Sequence, residues 1–200
     1  MYPLFESVCI QNGQIQNGQY HEFRFLTSYF EHFGFEPKYS LLNNLTLPKL
    51  DSSLKLKLRI GYHETGIEWT ISEYKNKIPT SLRLLQDDSI DYALKYADRS
   101  DLDKIYKKRD GADDVLLIKN GHITDASYSN ILFTDGSQIA TPSTPLLHGT
   151  CRARLIAENK VQEVQITLKS IKQFQSFQLI NALNDFDENR WVTIQNSIID

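Results

Sequence analysis

Apolar and polar residues alternate along "LFESVCIQNGQIQNG" (residues 4–18), and Asn-Gly interrupts the run at 12–13 and again at 17–18. Period two broken by Asn-Gly predicts a β-hairpin. The period then changes. In "YHEFRFLTSYFEHFG" (20–34), Phe23, Leu26, Phe30 and Phe33 fall at helical spacing, which predicts an amphipathic helix buried on that stripe and closed by Gly34. A polar, leucine-dotted connection leads to "LKLKLRIGYHETGIEWTISEY" (54–74), two alternating runs around a turn, and "TSLRLLQ" (80–86) reads as a further strand.

The acidic "QDDSID" at 86–91 marks the expected boundary between a trimmed N-terminal α+β subdomain, 1–88, and a C-terminal subdomain, 89–200. Beyond it, "RSDLDKIYKKRDG" predicts a helix with Ser100 as N-cap. "DDVLLIKNG", "HITDASYSNILFTDG" and "SQIATP" read as strands punctuated by Asn-Gly, Asp-Gly and Thr-Pro. "GTCRARLIAENK" predicts a helix opening at Gly149. The tail mixes a strand ("EVQITL"), a short helix ("KSIKQFQSF") and strands in "QLINAL" and "WVTIQNSI". The class expected is α+β in two subdomains.

Composition narrows the function classes more than it selects one. With 200 residues, 40% hydrophobic and 24% charged, the chain reads as a soluble globular protein. A net charge of −3 offers no electrostatic case for a nucleic-acid or anionic-membrane partner. No apolar run reaches the roughly 20 residues of a spanning helix, and "MYPLFESVCIQNGQ" lacks the pattern of a signal peptide. Cys9 and Cys151 have no metal-site spacing and are expected as free thiols in the cytoplasm. The histidines at 21, 32, 63, 122 and 148 show no ligand spacing, so no metal is expected. G-x-G-x-x-G, Walker A and G-x-S-x-G motifs are absent.

"DYALKYADRSD", from Asp91, sets Lys95 between apolar steps, where by itself it reads as a solvated surface lysine. Its context changes that reading. "DDVLLIKNGHITDASYSNILF" runs from an acidic pair through a hydrophobic strand and Gly to a carboxylate and Asn-hydrophobic-Phe. "TPSTPLLHGTCRARL" carries Thr-Pro followed by Leu-x-Gly-x-x-Arg, "YHEFRF" carries His-x-x-Arg, and "LFESV" opens the first strand. In this order and spacing the segments resemble the class IV aminotransferase family, the fold-type IV pyridoxal-phosphate enzymes. That family includes branched-chain and D-amino acid aminotransferases and aminodeoxychorismate lyase. The resemblance covers most of the chain and is strongest from Lys95 to Leu155.

The resemblance implies a two-subdomain, D-amino acid aminotransferase-like fold with a small α/β N-terminal part and a β-barrel-like C-terminal part bearing helices. It implies pyridoxal 5'-phosphate as cofactor, a small-molecule amino substrate and a homodimer. Lys95 matches the lysine that holds the cofactor, which must be neutral to attack an aldehyde. Asp125 matches the carboxylate that pairs with the pyridine nitrogen, where the family usually carries Glu; it also reads as a turn-flanking Asp. Arg24 matches the arginine on the cofactor phosphate, though a helix arginine is commonly a surface residue. His21 is expected beside it.

Gly149 would open the helix whose first amides, at Thr150 and Cys151, hold the phosphate. Cys151 stands where the family usually has Thr, which removes a hydroxyl and keeps the amide. Asn181 and Ala182 resemble the segment that closes the phosphate cup. Phe5, Ser7, Tyr96 and Asn130 are expected to line or buttress the pocket, while His122 faces solvent and Asp98–Arg99 forms a local ion pair.

The chain begins a few residues before the first strand, whereas family chains carry a longer N-terminal stretch, so the first subdomain is expected to be trimmed. The compact chain favours an aminodeoxychorismate lyase that releases pyruvate and leaves 4-aminobenzoate. A branched-chain or D-amino acid aminotransferase is the alternative reading, and a non-catalytic binding protein of the same fold is a third.

Overall fold

β1 (Leu4–Gln11) joins β2 (Gln14–Ile15) through Asn12 and Gly13, both at positive φ (54° and 73°). This is the left-handed pair that a two-residue hairpin requires. The second Asn-Gly does something else: Asn17, also left-handed, precedes α1 (Gly18–Phe33) as its N-cap. Gly34 ends the helix at φ 82° with its amide donating to the Phe30 carbonyl, the cap that the sequence implied. β3 (Leu56–His63) and β4 (Gly66–Glu73) complete an antiparallel sheet in the order β2-β1-β3-β4. The protein is described by a computed structural model whose described residues are 2–43 and 45–199.

By contact the chain divides into two compact units, Met1–Asn76 with Leu94–Asp98, and Lys77–Ala93 with Arg99–Asp200. In the first, register sorts β1 and β3 by face. Leu4, Val8 and Ile10 lie opposite Tyr62, Leu58 and Leu56 and form the core with Phe25, Tyr29 and Leu41. Phe5 and Ser7 lie opposite Gly61 and Arg59 on the other face. The segment Leu94–Asp98 returns alongside the start of β1. The Phe5 amide donates to the Lys95 carbonyl at 3.1 Å, the Ala97 amide to the Pro3 carbonyl at 2.7 Å, and Tyr96 bridges Leu4.

The face of α1 corrects the expectation from periodicity. His21, Phe25, Ser28 and Tyr29 are buried, whereas Phe23 is 72% exposed and Leu26 and Phe30 are also exposed; of the expected stripe only Phe33 packs partly on the core. Aromatic geometry and a buried polar contact choose the face. Phe25 meets the Tyr62 ring edge-on at 5.0 Å and Tyr29 at 5.7 Å, while His21 reaches Glu6 beneath the helix.

In the second unit, β5 (Leu82–Gln86) is followed by α2 (Ser100–Tyr106), whose N-cap is Arg99 rather than Ser100. Next come β6 (Asp114–Lys119), β7 (His122–Ala126), β8 (Asn130–Thr134) and β9 (Ile139–Pro142). Asn120-Gly121 makes the β6–β7 turn with both residues at positive φ. α3 (Thr150–Ala157), β10 (Gln162–Val164), β11 (Ser176–Ile180), β12 (Val192–Thr193) and β13 (Ile198–Ile199) follow. The strands form two sheets, β10-β9-β8-β11-β12 and β13-β5-β6-β7. Leu82, Leu116, Ile123, Ile131, Phe133 and Phe177 are buried in one apolar cluster, and Leu132, Leu155, Val161 and Ile180 in another that includes α3. The architecture is α+β. Among the described residues no helix is long and apolar enough to cross a membrane.

Replacing the fully buried Phe25 by Ala should cost about 3–5 kcal/mol in urea unfolding. Phe23→Ala should stay within about 0.5 kcal/mol of wild type. Equal losses at the two positions would restore the face that the sequence pattern implied.

Candidate active site

Glu6 sits on the core face of β1 and has no exposed surface. Its Oε1 accepts from Arg24 Nε at 2.7 Å and its Oε2 from Arg24 Nη2 at 2.5 Å. His21 Nδ1 lies 2.7 Å from Oε2. Burial opposes the Glu6 charge, but the Arg24 guanidinium and the hydrogen bonds from His21 and Arg24 outweigh it and hold the carboxyl at about 2. Burial also drives the His21 pKa down against the pull of Glu6, so a neutral imidazole donates Nδ1–H to a carboxylate. The expected neighbourhood of His21 and Arg24 is present, one helical turn apart and bridged by one acid. Glu6 is the group the sequence reading passed over. A charged residue at a core position of an alternating strand is the signal that marks it.

On the opposite face of β1, the buried Phe5 ring carries two cations. Lys95 Nζ lies 5.0 Å from its centroid and the Arg59 guanidinium carbon 3.5 Å from it. Lys95 is half-buried, with its backbone held to Phe5. Ser7 continues this face two residues on, and Tyr96 packs against the unit's core. Arg59, unremarked in the sequence, is the second residue of this group.

In the second unit, Asp125 lies near the end of β7 and is 5% exposed. Its Oδ1 accepts from Asn130 Nδ2 at 2.8 Å and its Oδ2 from the Leu147 amide at 2.9 Å. Burial pushes its carboxyl up to about 6 despite those bonds and the nearby Arg152 charge. Asn130 also donates to the Leu147 carbonyl at 2.9 Å, so one carboxylate and one amide fix the segment that enters α3. Gly149 caps that helix in extended conformation, φ −70°, which any residue can adopt. What demands glycine is space, because a Cβ there would meet Asn130 Oδ1 at 1.8 Å.

Thr150 and Cys151 occupy the first turn of α3, where amides lack intrahelical acceptors and the dipole favours an anion. The Cys151 thiol donates to Asp185 at 3.2 Å, and burial together with the Asp185 charge pushes it up to about 12. The contribution left to Cys151 at an anion is its amide. Arg152, in the Gly-x-x-Arg position, is buried and donates to the Pro142 carbonyl and to Glu163. Asn181 shapes a turn, its Oδ1 accepting from the Leu183 and Asn184 amides, and donates to Ser129 Oγ at 3.0 Å. Ala182 lies in that turn.

His122 is half-buried at its hairpin, beside Gln165, and does not simply face solvent. Arg99 turns to the Ser127 carbonyl at 2.7 Å and to Asp103 at 3.9 Å, in place of the expected ion pair with Asp98. Cys9 and Cys151 are free thiols, as expected. No group of three or more metal-ligating side chains occurs among the described residues.

Each unit by itself carries donor types that suit a phosphorylated pyridine aldehyde: an amine at Lys95 in the first, and a helix N-terminus at Gly149–Cys151 and a buried carboxylate at Asp125 in the second. Gly149→Ala should lower stability by roughly 1–3 kcal/mol through displacement of Asn130. Thermal unfolding checks this, and an unchanged midpoint would mean that Asn130 moves aside freely.

Glu6 generates a prediction about acid. Its folded pKa of about 2 lies below the ordinary 4.5, so its stabilisation is complete above about 4.5 and is lost as pH falls through 2. Glu6→Gln should cost roughly 3–5 kcal/mol at neutral pH and flatten that part of the acid limb. Urea unfolding at neutral and acid pH measures both, and a parallel acid loss in wild type and variant would exclude Glu6 as its source.

The model of the family Amino-transferase class IV matches residues 3–186. An uncharacterized protein of Haemophilus influenzae is 38% identical over 187 residues, covering 92% of this chain and 99% of its own length. A crystal structure of a provisionally assigned 4-amino-4-deoxychorismate lyase from Haemophilus somnus 129pt has a TM-score of 0.83 at 29% identity, over 93% of this chain and 98% of that one. An aminotransferase from Brucella abortus, solved bound to the cofactor pyridoxal phosphate, shares the fold alone: TM-score 0.72, 15% identity, 98% of this chain and 82% of that one. This chain belongs to the class IV aminotransferase family, whose cofactor is pyridoxal 5'-phosphate.

Proposed function

We propose that the protein is a pyridoxal-phosphate-dependent lyase of the aminodeoxychorismate type, with Lys95 as the group that holds the cofactor and moves the proton. The observation that carries the enzymatic reading is the seat of Lys95, its backbone tied to the first residues of β1 and its amine over the buried Phe5 ring. Such a lysine loses less rotamer freedom on engaging a ligand than a solvated one. The lean to a lyase is supported by the likeness, over nearly the full length of both chains, to the Haemophilus somnus protein assigned that activity.

The other roles follow from chemistry. The cofactor, when bound, would supply an aldehyde for the substrate amine and a ring able to accept an electron pair from the adjacent carbon. Asp125 favours a protonated ring nitrogen, because a buried carboxylate gains most from a positive partner. The amides of Thr150 and Cys151 receive the phosphate. Lys95, with its amine free and neutral, would take the proton from the amine-bearing carbon. In the lyase, the ring-carbon to ether-oxygen bond then breaks, and the enolpyruvyl fragment takes a proton and leaves as pyruvate. The ring that remains is aromatic 4-aminobenzoate.

Wild type mixed with pyridoxal phosphate should develop a visible absorbance band that Lys95→Ala lacks, and borohydride should fix the cofactor on Lys95. Pyruvate and 4-aminobenzoate should then appear from aminodeoxychorismate without any keto-acid acceptor. A strict requirement for an acceptor would convert the assignment to transamination. No band in either protein would withdraw the enzyme and leave a binding protein of this fold.

A further inference from the structure

The sheet of the first unit ends on one side at β4, and no strand among the described residues pairs with its outer edge. One bond tells which residues own that edge. The Tyr74 amide donates to the Lys55 carbonyl at 2.9 Å, a pair that continues the β3–β4 register by one step. Bonded and non-bonded pairs alternate in an antiparallel ladder, so Gly66, Glu68, Thr70 and Ser72 turn their backbone groups to β3. Ile67, Trp69, Ile71 and Glu73 turn theirs outward. None of those amides and carbonyls has a hydrogen-bond partner among the described residues.

Edges of this kind are ordinarily guarded by a short strand, by lysine or proline, or by a bulge. β4 has none of these. It is eight residues long, its register with β3 runs unbroken from Gly66 to Glu73, and "GIEWTISE" contains neither Lys nor Pro. On the face shared with the core, Ile67 and Ile71 are partly buried and Trp69 between them is 36% exposed. Glu68, Thr70 and Ser72 lie exposed on the other face. β-branched and aromatic residues at these positions suit a strand with neighbours on both sides.

We propose that β4 adds β4 of a second copy of this chain, antiparallel about a two-fold axis at Thr70, and so continues the sheet from one copy into the other. The strand's own pattern selects both the occupant and the register. Paired residues must share a face, so the axis falls at a residue and not between two. Centred on Thr70, it sets Trp69 against the partner's Ile71, Ile67 against the partner's Glu73 and Glu68 against the partner's Ser72. All four outward residues then meet a strand, apolar side chains meet on the core face, and no acid stands opposite an acid. Centred on Glu68, two carboxylates would face each other. Centred on Trp69 or Ile71, one of the four outward residues would run past the end of the partner's strand.

The inference is independent of the reaction, and cysteines and lysines on the exposed face test its register. Two residues at position 70 would form a non-hydrogen-bonded pair with Cα atoms about 4.5 Å apart, within disulfide reach. Two at position 72 would stand roughly 13 Å apart along the strands. Thr70→Cys, Ser72→Cys and wild type, whose own Cys9 and Cys151 are buried, are oxidised as full chains at equal concentration. Thr70→Cys should give a covalent dimer in at least about tenfold the yield of the other two. In sedimentation, Thr70→Lys, which opposes two lysines on the axis, should weaken self-association about fivefold. Ser72→Lys, which faces the partner's Glu68, should not weaken it. A wild type that stays monomeric throughout the concentration series, equal cross-linking at 70 and 72, or equal effects of the two lysines would each overturn the inference. Copies that meet elsewhere would associate unchanged with Thr70→Lys, and that outcome overturns it too.

Discussion

A carboxylate with no exposed surface at position 6 constrains everything packed on β1. Taken from water, a charge of that size costs several kcal/mol unless its partners are close and its lone pairs are filled. Arg24 supplies the opposite charge through two hydrogen bonds and His21 supplies a third donor. Both residues come from α1, so the helix must present the side that carries positions 21 and 24. That requirement rotates Phe25 and Tyr29 into the core and leaves Phe23, Leu26 and Phe30 outside. It also settles the opposite face of β1, because alternation puts Phe5 and Ser7 where Glu6 is not.

The second unit is organised by the same kind of constraint. Asp125 is buried, and no arginine takes its oxygens; Asn130 and the Leu147 amide do. With neutral donors, burial prevails and the carboxyl rises to about 6, whereas Glu6, with a guanidinium on it, falls to about 2. The contrast has a chemical consequence. Glu6 is already neutralised and serves the fold. Asp125 is a buried acid with only neutral groups on its oxygens, a state that the protonated ring nitrogen of the proposed function would relieve.

Much of this was legible in the chain. Asn12-Gly13 and Asn120-Gly121 specify their hairpins because only residues tolerant of positive φ fit there, and Gly34 closes α1 for the same reason. The α+β class followed from the change of period between strand and helix runs. What periodicity could not supply was the choice among competing apolar stripes on α1, since that choice depends on a polar contact between residues fifteen positions apart. It also could not show that Gly149 is demanded by Asn130 rather than by its own backbone angles, nor that Asn17-Gly18 opens a helix instead of a second hairpin. Arg59 escaped notice for a related reason: in an alternating strand it reads as a solvent-facing residue, and only pairing with β1 brings it to Phe5.

The two departures from the family pattern, Asp for Glu at 125 and Cys for Thr at 151, can be weighed on the same terms. Shortening an acid by one methylene keeps the charge but draws it back towards its own strand, and here the shorter side chain is held by Asn130 and Leu147. Cys151 is a different case. Its thiol is turned to Asp185, an acid that also binds Arg154, so the side chain helps secure α3 and does not offer a donor at the helix start. A helix N-terminus attracts anions mainly through its backbone amides, which the substitution leaves in place. The loss at 151 is therefore one hydrogen bond among several. In the proposed function the change at 125 acts on the carboxylate assigned to the ring nitrogen, and of the two it would exert the larger leverage on the reaction.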